Sequence, residues 1–258
     1  MVVQTSFRIP IPGCGGSKPI SLEERTDMSI DRTQSELPRP CEGRLPMRRK
    51  ERGWWIEQHL PPHSRRLLDV GCHMALDTAQ WANKADILMG VDVDPAVFDG
   101  CASVIRCQAS GAELPFAPAS FDVVTCSEVL EHVPPELERP LIEEMRRVIA
   151  PDGTLLFTTP HWGWFAWLDP LDAKRRLGLR KGKGHKHYRI VEINDLFADL
   201  FRIELLDLNS LMLHPISTWM GAGNQARWLR LRGKMSDWDY QHHFGRASFN
   251  MALVARPI

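Results

Sequence analysis

Three carboxylates stand where a short apolar run gives way to a small residue or a turn. Asp69 lies in Leu67-Leu68-Asp69-Val70-Gly71, Asp92 closes Ile87-Leu88-Met89-Gly90-Val91-Asp92, and Glu128 follows Phe121-Asp122-Val123-Val124-Thr125-Cys126-Ser127. A carboxylate at the end of the second run suits a ribose, whose two hydroxyls can both donate to it. A glycine at the turn after the first run lets backbone N–H groups approach a ligand closely. Histidines add proton transfer near neutral pH. His161 follows a further apolar run, His185 and His187 come in the segment after it, and His132 comes four residues after Glu128.

These residues need a scaffold that brings run ends together. The runs at 66–71, 87–92 and 121–126, a short one at Val104-Ile105 and a longer one at Gly153–Thr159 read as strands. Helical patterns fall at Met47–Leu60, Ala75–Asn83, after Pro95, and from Pro140 to Ile149. Apolar strands alternating with helices every few turns imply a parallel sheet covered on both faces. In such sheets ligands bind beyond the carboxyl ends of the strands, near the switch in strand order. The three carboxylates are all at such ends.

This order of motifs resembles the class I S-adenosylmethionine-dependent methyltransferases, in particular the group acting on small molecules and lipids. Leu67 to Ala75 is similar to the family's first motif, an acid followed by spaced glycines, and Gly90-Val91-Asp92-Val93-Asp94-Pro95 to its second. Ser110-Gly111-Ala112-Glu113-Leu114-Pro115-Phe116, Glu128-Val129-Leu130-Glu131-His132-Val133 and Val148 to Leu155 resemble the later blocks. The resemblance runs unbroken over 67–160, and a helix at 192–200 with strands at 202–208 and 249–256 would complete the fold. It implies a doubly wound, mostly parallel seven-stranded α/β sheet with S-adenosyl-L-methionine as cofactor. It also implies a binding set of Asp69, Gly71, Cys72, His73, Ala75, Asp92, Val93, Ser110, Gly111, Ala112, Ser127 and Glu128. Within it, Asp69 and Gly71 would serve the methionine end, Asp92 the ribose and Ser110–Ala112 the adenine. His132, His161 and His187 are the candidates for a general base. Two residues depart from the pattern, since His73 and Ala75 stand where the family has glycines. Ser110 likewise stands where the family has an acid.

A nicotinamide-binding fold is the competitor for a strand–glycine–helix start, but its fingerprint needs G-x-G-x-x-G and Gly71 here is alone. The rival from another class is a binding or scaffold protein that keeps the fold and has lost turnover at positions 73 and 75.

Composition sets the remaining bounds. Hydrophobic residues make 43% of the 258 and charged ones 25%, an ordinary globular balance. Thirty-two basic and 32 acidic side chains cancel overall. The cancellation hides +4 over residues 1–66, −10 over 67–160 and +6 over 161–258. An acidic middle argues against a nucleic-acid surface there. Six cysteines without a C-x-x-C pair argue against a disulfide framework and against a thiolate metal site, so buried thiols and no metal are expected. The first 44 residues, broken by prolines, read as a disordered tail before a domain at 45–258.

Two segments read as substrate caps, 161–190 and 209–246, the second a helical, aromatic insertion toward the C-terminus. His161-Trp162-Gly163-Trp164-Phe165-Ala166-Trp167-Leu168 is aromatic, and Lys174–Arg189 carries eight basic side chains and no acid. Together they suit a small-molecule or lipid-linked acceptor with anionic character. They also suit peripheral contact at the inner membrane face by a cytoplasmic protein, because aromatic rings settle at headgroup depth and cations meet anionic lipids. No apolar run is long enough to span a bilayer.

Overall fold

The computed structural model describes residues 50–73, 75, 78–94, 103–164, 186–210, 238–239 and 241–258. The expected tail at 1–44, the helix after Pro95, and most of both expected caps lie outside the described residues.

Helix α1 (Lys50–His59) precedes β1 (Ser64–Val70), β2 (Ala85–Asp92), β3 (Ile105–Gln108) and β4 (Phe121–Ser127). Then come α2 (Pro135–Val148), β5 (Ile149–Pro160), α3 (Ile190–Phe197), β6 (Phe201–Asn209) and β7 (Asn250–Pro257). The seven strands form one sheet in the order β3-β2-β1-β4-β5-β7-β6. The first five run parallel, and β7 runs antiparallel between β5 and β6. The order reverses between β1 and β4, so the crevice that such a reversal opens lies over the ends of these two strands.

Alternation along each strand divides the core into two layers. Leu68, Val70, Val124, Cys126, Leu155, Phe157, Leu253 and Ala255 point to one face, where Leu141, Ile142, Met145 and Val148 of α2 and Ile193 and Phe197 of α3 cover them. Leu67, Val123, Leu156 and Ala252 point to the other, under Trp55, Ile56 and Leu60. Burial on both faces is why the strands read as continuous apolar runs rather than as alternating ones.

The helices differ from the sequence reading: the last runs Ile190–Phe197 rather than 192–200, and two earlier ones differ more. Among the described residues of Ala75–Asn83, a 3-10 turn, Thr78–Trp81, stands in place of the expected helix. Thr78 there is held by a side-chain bond to Asp69, which fixes the turn by a tertiary contact. Helix α2 begins at Pro135 rather than Pro140. Pro135 occupies the first turn, where its missing N–H costs nothing, and Glu136 and Glu138 favour the positive end of the helix dipole. Pro140 is then carried inside the helix, one backbone bond short.

Candidate active site

Beyond the end of β1 the chain turns through a left-handed backbone at three residues, Gly71 (φ +77°), His73 (φ +46°) and Ala75 (φ +53°). Gly71 and Cys72 both donate their N–H to the Val91 carbonyl, at 2.8 and 3.0 Å, which folds the turn back over β2. The turn thus has the conformation glycines make easy, although two of its three left-handed residues carry a Cβ. Each such residue costs about 1–2 kcal/mol, an expense that only surrounding contacts can impose. Gly71 has no alternative, because a Cβ there would lie 2.2 Å from Val129 Cγ2.

Asp92, at the end of β2, is one of the contacts that hold the turn. Its Oδ2 accepts the His73 N–H at 2.8 Å and its Oδ1 accepts the Asp94 N–H at 2.9 Å. Each oxygen keeps a second lone pair for a ligand. Val93, beside it, is exposed. Ser110, Gly111 and Ala112 form a tight turn after β3. The Ser110 hydroxyl accepts the Ala112 N–H at 3.2 Å, and Ala109 donates to the Asp92 carbonyl at 3.1 Å. Gly111 lies against α2, where a Cβ would meet Leu141 Cδ1 at 2.6 Å. The residues expected to bind ribose and adenine are therefore adjacent at one sheet edge.

Asp69 has another setting. It is 6% exposed, and its carboxylate accepts the hydroxyls of Thr78 and of Thr125, the latter at 2.7 Å. It ties the turn after β1 to the neighbouring strand β4. Cys72 is buried, with its sulfur in space that a side chain at Gly90 would fill. Burial and the nearby carboxylates of Asp69 and Asp92 push its thiol pKa far up, so it stays protonated.

Glu128 is a further left-handed residue (φ +56°). Its N–H donates to the Thr158 carbonyl at 3.0 Å, and its Oε1 accepts the Thr158 hydroxyl at 3.2 Å. The Ser127 hydroxyl is 2.9 Å from that of Thr158. This corner aims Val129 at Gly71, so the ends of β1 and β4 close on each other at the switch point.

The three histidines named from sequence divide into two places. His132 is mainly exposed, 3.9 Å from Glu131. His161 and His187 are brought together, because the His161 and Tyr188 segments pair as a β-bridge beyond β5. His187 is buried, edge-on to Trp162 and Phe249. His161 is 5% exposed, and its Nδ1 meets the Ser248 carbonyl at 3.0 Å. Burial lowers its pKa, and the neighbouring His187 adds to the fall, so the ring is neutral at physiological pH. Trp162 and Trp164, flanking it, are 55% and 68% exposed.

One constellation escaped the sequence reading. Asp207, buried on β6, accepts from Trp55 Nε1 at 2.8 Å, from Asn209 Nδ2 at 3.2 Å and from His243 Nδ1 at 2.5 Å. Asn250 Nδ2 donates to Asn209 Oδ1 at 2.9 Å, extending the chain of bonds to the start of β7. A single acid inside the apolar run Leu205-Leu206-Asp207-Leu208 was the available signal. Two of its three partners, Trp55 and His243, come from α1 and from just before β7, at separations no local pattern spans.

The geometry has counterparts among known proteins. Residues 68–157 match the family model described as a methyltransferase domain. A ubiquinone biosynthesis O-methyltransferase of Idiomarina loihiensis is 29% identical over 175 residues, 63% of this chain and 71% of that protein. One from Coxiella burnetii is 28% identical over 173 residues, 63% and 73% of the two chains. Among solved structures, a geranyl diphosphate C-methyltransferase from Streptomyces coelicolor has a TM-score of 0.56 at 13% identity, covering 80% of this chain and 76% of that one. A TehB-like methyltransferase from Corynebacterium glutamicum has a TM-score of 0.53 at 12% identity, covering 81% and 88%. These two establish likeness of fold. Among the described residues, no helix is long and apolar enough to cross a membrane.

Proposed function

We propose that this chain is a class I S-adenosylmethionine-dependent methyltransferase that methylates a hydroxyl of a small or lipid-linked acceptor, with His161 taking the proton. The observation that carries the oxygen acceptor is the neutral, carbonyl-anchored imidazole of His161 at the end of β5. The names of the Idiomarina and Coxiella relatives support the same atom.

The cofactor residues fit their group. At Gly71, in the left-handed turn after β1, a Cβ would collide with Val129, so the turn and the corner at Glu128 close on each other without an intervening side chain. Asp92 offers a carboxylate whose second lone pairs suit ribose hydroxyls, and the Ser110–Ala112 turn beside it suits the adenine. Asp69 acts through the turn it anchors, and Ser127 and Glu128 form the opposite wall. S-adenosylmethionine, when bound, supplies a methyl carbon on a positively charged sulfur. The protein's task is alignment, since an in-line displacement gains most from held geometry. His161 Nε2 accepts the hydroxyl proton as the acceptor oxygen gains the methyl group, leaving the imidazolium to release its proton to solvent.

We place the acceptor beside the described ends of the segments 161–190 and 209–246. Their described bases are stitched together, the Trp164 N–H donating to the Arg246 carbonyl at 2.9 Å. Exposed Trp162 and Trp164 at that rim favour an apolar acceptor and contact with an anionic membrane surface. Calorimetry with S-adenosylhomocysteine, then its release from S-adenosylmethionine with phenolic, catecholic and lipid-linked acceptors, tests the reading. His161→Gln keeps the calorimetric binding and loses turnover if the proposal holds. Retained turnover removes His161 from the reaction. Flotation with anionic vesicles that survives Trp162→Ala/Trp164→Ala removes those rings from any membrane contact.

A further inference from the structure

We propose that Gly163 is a positioning residue for His161: lacking a side chain, it admits the Ser248 carbonyl against the imidazole and so fixes which ring nitrogen carries the proton. The inference rests on the reading of His161 as proton acceptor.

Backbone bonds join the two segments. His161 N–H donates to the Phe249 carbonyl at 2.7 Å, Trp164 N–H to the Arg246 carbonyl at 2.9 Å, and Gly163 N–H turns back to the His161 carbonyl at 2.8 Å. Between the first two, the Ser248 carbonyl reaches His161 Nδ1 at 3.0 Å. A carbonyl oxygen only accepts, so Nδ1 carries the hydrogen and the lone pair of the neutral ring falls on Nε2. Held this way, the ring needs no tautomer exchange before it can take a proton.

The room for that carbonyl comes from position 163. A Cβ there would lie 2.0 Å from the Ser248 oxygen, 3.0 Å from its carbonyl carbon and 3.1 Å from the Arg246 oxygen. All three are backbone atoms, so no rotamer change relieves the clash. The carbonyl must leave, and with it the acceptor that selects the Nδ1–H tautomer. Nothing in the sequence marks this glycine: its φ lies outside the left-handed region, and the atoms that require it belong to Arg246 and Ser248, far along the chain.

The test is the tautomer itself, read by long-range proton–nitrogen correlation on the full chain labelled at histidine. The His161 signal is assigned by its loss in His161→Gln. Wild type is expected as the Nδ1–H form above the ring's titration, and Gly163→Ala is expected to shift it toward Nε2–H while S-adenosylhomocysteine still binds. A wild-type ring in the Nε2–H form overturns the proposal, and so does a folded Gly163→Ala with the wild-type pattern. If Gly163→Ala does not fold, Gly163→Ala/Ala247→Gly carries the same comparison with a more yielding turn before Ser248. Turnover retained in His161→Gln defeats the base assignment and leaves the tautomer result standing, so the two failures are distinguishable.

Discussion

The backbone N–H of His73 donates to Asp92 Oδ2 across 2.8 Å while His73 itself is in the left-handed region at φ +46°. One hydrogen bond thus links the residue that departs from the family's glycine pattern to the carboxylate expected to hold the ribose. The glycine is missing, yet the conformation it would have supplied is present, held by contacts from outside the turn.

That strain is measurable at position 73. Histidine tolerates the left-handed region better than β-branched residues do, so His73→Val should lose about 1–2 kcal/mol. His73→Gly should lose nothing, because relief of strain offsets the added freedom of the unfolded chain. Urea denaturation of the three proteins decides it; equal losses in both variants would mean that the turn relaxes and stores no strain.

Asp92 makes charge-assisted bonds at its site, which are worth about 1.5–3 kcal/mol. Asp92→Ala should weaken S-adenosylhomocysteine binding by about 10–100-fold. Calorimetry reads this directly. Unchanged affinity in a folded variant would remove Asp92 from the ribose site.

Gly71 and Val129 form a testable pair. Gly71→Ala places a methyl group on Val129 Cγ2 at 2.2 Å and should disrupt the turn. Adding Val129→Ala removes the 2.2 Å contact and leaves a tight 3.3 Å approach to the Cβ at position 129 together with the cost of φ +77°, about 1–2 kcal/mol. Recovery of most, and not all, of the lost stability in the double variant is the expected outcome. No recovery would place the cost elsewhere than in that contact.

The carboxylate of Asp207 is buried and accepts from Trp55 Nε1 at 2.8 Å. Trp55→Phe removes this donor and should cost about 1–3 kcal/mol beyond the lost ring area. Adding Asp207→Asn should recover part of the loss by removing the buried charge. Additive losses in the double variant would show that the two side chains are not coupled.

His161 should make stability depend on pH in a defined sense. Burial lowers its folded-state pKa below the ordinary 6.5, so between the two values the unfolded chain binds more protons. Its contribution is complete above pH 6.5 and is lost as pH falls toward the folded-state value. His161→Gln should flatten that part of the profile, measured as denaturation midpoints across the range. An equal slope in wild type and variant would assign the dependence to other groups.

Much of this was legible in the chain because it rests on local pattern. Strands buried on both faces must be apolar throughout, so Leu67–Val70, Ile87–Val91 and Val123–Cys126 announce themselves. Helix starts were less legible. Pro140 resembles a beginning, yet α2 starts at the first-turn Pro135 and carries Pro140 inside. Thr78 belongs to a helical pattern and is drawn into a 3-10 turn by Asp69.

Position on the sheet edge was set by the sequence alone: acids after apolar runs fall at strand ends, and strand ends of a parallel sheet share an edge. Asp92 and Glu128 were placed by that logic, and Ser110–Ala112 by the resemblance to the methyltransferases. Contacts between residues far apart in the chain needed the folded structure. It decided that Asp69 anchors two threonines, that His161 rests on Ser248 while His132 stands apart, and that Trp55 and His243 converge on Asp207. The physical reason is the range of the forces that write each pattern. Burial periodicity acts over neighbouring residues and is recorded in their order. A hydrogen bond between segments separated by 87 or 152 residues is recorded only in how the fold brings them together.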